Sequence, residues 1–119
     1  MALQRIILEM GTGNDLYGED YTKAATRAVQ DALHHSSITL FRTMGIDRDS
    51  MQVEVTIGVQ NPDNVDKDVI ASQLPFGTIT VNCVKGGLNV TQDSDLVTVI
   101  ATAAIAARID IPEGRYVSV

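Results

Sequence analysis

The stretch that most constrains this chain is Glu9-Met10-Gly11-Thr12-Gly13-Asn14-Asp15-Leu16-Tyr17-Gly18-Glu19-Asp20-Tyr21-Thr22-Lys23. With three glycines and four carboxylates, it reads as a loop too polar for a core. Before it, Ile6-Ile7-Leu8 is uniformly apolar and predicts a short strand inside a sheet, ended by Gly11 and Gly13. After it, Tyr21, Ala24, Ala25, Ala28, Val29, Ala32 and Leu33 recur at helical spacing on one stripe. That pattern predicts a helix from Tyr21 to about His35. Glu19 and Asp20 stand at its start, where the helix dipole favours negative charge. Glu19–Lys23 and Arg27–Asp31 are spaced as i, i+4 pairs.

Alternation organises the middle of the chain. Met51, Val53, Val55, Ile57 and Val59 alternate with polar or small residues, which predicts a strand with one buried face. Asn61–Asn64 reads as a turn, and residues 66–74 as a short helix capped by Asn64 or Asp66 and stopped by Pro75. Thr78 to Val84 alternates again. Lys85-Gly86-Gly87 then turns the chain, with Leu88-Asn89-Val90 as the expected hairpin partner. From Leu96 to Ala107 nearly every residue is apolar or alanine, which predicts a last helix buried nearly all round. Ile38–Met44 and Tyr116–Val119 read as further short strands. The expectation is one domain over residues 1–119 with an α+β fold. It is a two-layer sandwich with a mixed or antiparallel sheet of four or five strands, two main helices and one short helix.

Composition excludes some functions. The net charge is −6 and the nine Lys and Arg are scattered singly, so no basic stripe is available for nucleic-acid phosphate. No apolar run is long and clean enough to span a bilayer as a helix, and no signal peptide is recognised. The single Cys83 cannot form an internal disulfide, and its place in an apolar alternation suggests a buried thiol. These features point to a soluble cytoplasmic protein. Aromatics are only 4%, so the core is built from Val, Ile, Leu, Ala and Met. A small Ala-rich chain gains by burying surface against copies of itself, so a homo-oligomer is expected.

The candidate chemistry lies in the glycine stretch. Gly11-x-Gly13 between strand and helix matches the start of a dinucleotide fingerprint. However, the third glycine falls at Gly18 and no Gly-Lys-Thr/Ser follows, so nucleotide binding is set aside. Asp15, Glu19 and Asp20 supply hard oxygen atoms, yet their spacing is not that of an EF-hand. Turn and dipole roles explain them better, and no metal is assigned. His34 and His35 diverge by about 100° on a helix and do not chelate together. Lys23 follows the loop on the first helical turn, placed to bind an anionic group or to act as a base if partly buried.

The run Gly11-Thr12-Gly13-Asn14-Asp15-Leu16-Tyr17-Gly18, followed by Asp20-Tyr21-Thr22-Lys23-Ala24-Ala25, resembles the signature of a family of conserved hypothetical proteins. That family occurs in bacteria and, with an added N-terminal extension, in plants. Its motif is Gly-x-Gly-x-Asp-x-His-Gly. Tyr17 stands here at the motif histidine. The resemblance extends over the whole chain and implies no established activity. A few of the same residues also resemble ring-opening amidohydrolases of the cyanuric acid hydrolase type, although no serine partner for Lys23 is identifiable.

Two functions follow. The first is a small-molecule enzyme, hydrolase-like by the second resemblance, with its site at the Gly11–Lys23 loop near a subunit interface. Asp15 would orient substrate or act as acid/base, and Lys23 would bind an anionic group. Gly11, Gly13, Asn14, Tyr17 and Thr22 would contact a small polar ligand. The second is a non-catalytic small-ligand-binding or structural assembly module. Neither names a cofactor.

Overall fold

The computed structural model describes residues 3–16, 18–34, 51–74, 77–91 and 96–110, with side chains from Leu8 to Ile109. Strand β1 (Leu3–Asp15) leads to helix α1 (Tyr21–His34). Strand β2 (Gln52–Val59) is followed by a 3-10 turn (Pro62–Asn64) and helix α2 (Lys67–Ala71). Strands β3 (Thr78–Lys85), β4 (Leu88–Thr91) and β5 (Val97–Asp110) complete the described chain. The architecture is α+β with a five-stranded mixed sheet in the order β1-β5-β2-β3. β5 runs antiparallel to β1 and β2, whereas β2 and β3 are parallel. β4 pairs with β5 alone, beyond the end of β2 and on the side away from β1.

The alternating strands lie where their patterns predict. Val53, Val55, Ile57 and Val59 are buried against α1, and Ile79, Val81 and Cys83 of the neighbouring β3 continue that face. Asp66 caps α2, accepting from the amides of Asp68 and Val69 at 3.0 and 3.4 Å.

Three elements differ from expectation. The last helix expected over Leu96–Ala107 is the strand β5, so among the described residues α1 is the one long helix. β5 is central and paired on both sides, and its alanines occur on both faces. It therefore shows no polar alternation, and continuous apolar character cannot by itself separate a buried helix from a central strand. Val97, Val99, Ile100 and Ile105 are β-branched, which favours the strand. Leu88–Val90 pairs with β5 rather than returning along β3, because the Gly86-Gly87 turn carries the chain across the end of β2. Gly87 has φ +60°, and a Cβ there would lie 2.8 Å from the Gly58 carbonyl oxygen, so only glycine suits the crossing. Finally, Gly11 and Gly13 do not end β1, which continues to Asp15. The segments at Ile38–Met44 and Tyr116–Val119 lie outside the described residues.

Gly11 and Gly13 have a specific packing role. Both are buried and face α1. A Cβ at Gly11 would come within 2.5 Å of the Ala28 carbonyl oxygen, and one at Gly13 within 2.5 Å of the Ala24 carbonyl oxygen. The facing helix stripe is alanine, with Ala24, Ala25, Ala28 and Ala32 fully buried. Backbone therefore rests almost directly on backbone. Side chains of α1 then close the outer edge of β1. Asp31 accepts the Thr12 amide at 3.0 Å, and the Arg27 guanidinium donates to the Asn14 carbonyl at 2.6 Å. Satisfying edge groups in this way discourages pairing by a stray strand.

Replacing Gly13 with alanine forces a methyl into helix backbone that cannot swing aside. Gly13→Ala is expected to lower stability by about 3 kcal/mol. Urea unfolding of the variant beside the unaltered chain checks this, and a loss under about 1 kcal/mol would contradict the contact.

Candidate functional site

The turn between β1 and α1 is built on Asp15. Its side chain is buried, with 6% of its surface exposed. One carboxylate oxygen, Oδ2, accepts the amides of Gly18 and Asp20, each at 3.0 Å. The other, Oδ1, faces Lys23 Nζ at 3.6 Å and Arg27 Nη1 at 4.0 Å. The Asp20 amide is the main influence holding the Asp15 carboxyl below its usual value of 3.8; burial opposes it, and the Gly18 amide and Lys23 add to it. Lys23 and Arg27 remain about half exposed, at 54% and 47%, so their ion pairs contribute less than the buried amide bonds.

Asp20 caps α1. Its side chain accepts the Lys23 amide at 3.0 Å, and its carbonyl accepts the Ala24 amide at 3.1 Å. Glu19 adopts a left-handed conformation with φ 48°, uncommon for a residue with a side chain and enforced by the two amides converging on Asp15. The acids are therefore turn and cap residues. Lys23 pairs with Asp15, in place of the expected Glu19.

The structure thus brings the two candidate residues Asp15 and Lys23 together and adds Arg27. Thr22 is turned away and secures α2: its hydroxyl accepts the Asp66 amide at 2.9 Å and approaches the Asn64 carbonyl at 3.4 Å. Gly11 and Gly13 face the helix rather than a ligand. The Asn14 side chain is exposed, and Tyr17 lies outside the described residues. His34 is exposed at the end of α1, while His35 is not described. Cys83 is half-buried, and burial pushes its thiol up, with Lys67 opposing. Among the described residues no three His, Cys, Asp or Glu side chains gather as a metal site requires.

A second feature went unread in the sequence. On the sheet face opposite α1, among the described residues, Leu8 and Met10 of β1, Val84 of β3, and Leu88 and Val90 of β4 are exposed. Met10 is 68% exposed. Strand register carries one row of this face through Met10, Ala104, Thr56 and Asn82, and the next through Thr12, Thr102, Gly58 and Val84. Between them lies a trough of about 540 Å³, lined by Met10, Thr12, Thr56, Gly58, Thr102 and Ala104 among others. Gly58 is itself buried, and a Cβ there would stand 2.6 Å from the Thr102 hydroxyl, so the position requires glycine. The signal was present in Leu8, Met10 and Thr12, which alternate with the glycines that face α1.

A third polar cluster ties the layers. The buried Tyr21 hydroxyl accepts from the amide groups of Asn61 at 2.8 Å and Asn89 at 2.6 Å, joining α1, the 3-10 turn and β4.

Fold and site together define a small α+β protein with a helix-covered sheet face and a neutral, apolar open face. The chain belongs to the family described as "Conserved hypothetical protein (Lin0512_fam)", which it matches over residues 5–107. It is similar to a crystal structure of an FtsZ-like protein of unknown function from Nostoc punctiforme PCC 73102. The TM-score is 0.82 and the identity 32%, covering 93% of this chain and 99% of that one. No curated protein matches the chain. Among the described residues no helix is long and apolar enough to cross a membrane.

Asp15→Asn keeps the size of the side chain but removes its charge, and is expected to cost about 1–3 kcal/mol at neutral pH. The carboxyl titrates lower in the folded chain than in the unfolded one. Its stabilisation is therefore complete above 3.8 and is lost as pH falls through the folded value. Urea unfolding is expected to show the gap between the two proteins narrowing in acid. A gap that is constant across the pH range would contradict the role assigned to Asp15.

Proposed function

We propose that the chain is a non-catalytic binding or assembly module whose working surface is the open face of the sheet. The observation that carries this reading is the trough between Met10 and Gly58, set in an exposed apolar sheet face. Uncovered apolar clusters on a folded domain mark contact surfaces. The trough also falls within the size range of small-molecule sites, with three threonine hydroxyls on a largely apolar lining. The Asp15 turn supports the same conclusion from the other side. A carboxylate already holding two amides, and kept ionised, is poorly suited to exchange protons.

A second reading keeps a small-molecule enzyme at the Gly11–Lys23 turn. Lys23 and Arg27 favour it, since both are partly exposed beside Asp15 and can receive an anionic group. On either reading, the acidic chain with its single cysteine suits a cytoplasmic setting.

The two separate in a two-dimensional NMR titration of the full chain, run over its own concentration and against small neutral and anionic fragments. Shifts are expected to cluster at Met10, Thr56, Thr102 and Ala104, with Gly18–Lys23 silent. Shifts confined to Gly18–Lys23 would overturn the open-face reading and favour the enzyme.

A further inference from the structure

We propose that the occupant of the open face is a second copy of the chain, docked about a two-fold axis along β5, with Met10 of each copy set against Thr56 and Gly58 of the other. The proposal rests on the open face being the working surface.

Shape is the first argument. At the middle of the outward face of β5 stand Thr102, Ala104 and Ala106, small side chains that let two sheets approach closely. To one side, β1 raises the ridge of Leu8 and Met10; from Met10 and Thr12 the trough runs across β5 to Thr56 and Gly58 on the other side. Met10, Ala104 and Thr56 share one row across the sheet. A two-fold axis along β5 exchanges the two sides of that strand without moving a residue along it. The Met10 ridge of each copy then meets the Thr56 trough of the other. A ridge and a trough in the same row, on opposite sides of one strand, are what an isologous interface needs. A small ligand in the trough would touch Met10 but leave Leu8, Leu88 and Val90 exposed.

Charge is the second argument. The chain carries a net −6, yet the described open-face side chains of the paired strands include only Glu54 and Arg108 as charged groups, 3.9 Å apart. Asp31 of α1 also lines the trough, already accepting the Thr12 amide, so two such faces meet without bringing unpartnered charge together, which like-charged copies otherwise resist. Area is the third. From strand lengths and spacing, β1, β5, β2 and β4 offer about 550 Å² per copy. Two copies together hide about 1,100 Å², enough for a specific interface, which needs roughly 1,000 Å².

Sedimentation equilibrium of the full chain is expected to give a dimer. Met10→Glu and Ala104→Glu, both directed outward from the sheet, are expected to weaken association at least tenfold while the far-ultraviolet circular dichroism spectrum stays that of the parent. In a Cys83→Ser background, Ala104→Cys lies on the axis and is expected to form covalent dimers with a short bis-maleimide. Asp63→Cys, on the exposed 3-10 turn, is expected to stay monomeric under the same treatment. A monomeric parent chain overturns the proposal, and so does a dimer that Ala104→Glu leaves intact and Ala104→Cys does not cross-link. A monomer whose open-face resonances still move with fragments removes the second copy but keeps the open-face reading. Resonances that stay silent at that face remove both.

Discussion

The structure depends on a contact between two backbones. β1 lies against α1 with glycine on one side and alanine on the other, and no side chain larger than a methyl stands between them at Gly11 and Gly13. This closeness sets the position of α1 over the edge of the sheet. From there Asp31 and Arg27 reach the outward polar groups of β1. The same closeness sets the length of the connection. A short turn is enough, and Asp15 organises it by drawing the Gly18 and Asp20 amides onto one carboxylate oxygen. Packing, edge protection and turn chemistry are thus consequences of one small-residue seam.

That seam explains why the fold was largely legible and the site was not. The α1 stripe, the β2 and β3 alternations and the cap at Asp66 are local patterns whose period reports their geometry directly. β5 lacked such a pattern because its partners on both sides and its small residues on both faces remove polar contrast. Its identity is decided by pairing with β1 and β2, which is non-local. Lys23 and Asp15 were legible as neighbours because the first helical turn must lie beside the loop that feeds it. The trough was not, since its walls come from β1, β2, β3 and β5, which only the sheet order brings together.

Family membership sharpens the question without answering it. The chain belongs to a family of conserved hypothetical proteins and is similar to a solved protein whose function is likewise unknown. The functional reading must therefore rest on residues. Here the two surfaces differ in how far their polar groups are already committed. At the Asp15 turn the carboxylate is occupied by protein donors, and Asp20 is occupied as a cap. On the open sheet face the large apolar side chains of Leu8, Met10 and Leu88 remain in contact with solvent.

The glycines carry the broader lesson. A Gly-x-Gly between strand and helix invites a ligand reading because the missing Cβ allows something to approach the backbone closely. Sterics do not specify what approaches. At Gly11 and Gly13 it is the backbone of Ala24, Ala28 and Ala32, so the space is filled from within the chain. At Gly58 that position is taken on the outward face by the Thr102 hydroxyl and by the passing backbone of Gly86 and Gly87. The same residue type therefore admits a helix on one face of the sheet and a crossing backbone on the other. What separates them is the face on which each glycine lies. Strand alternation fixes that face once the sheet is known: Gly11 and Gly13 share the parity of buried Asp15, while Gly58 shares that of Thr56 and Glu54. It is this parity that sets Gly11 and Gly13 against the helix and Gly58 on the other side of the sheet.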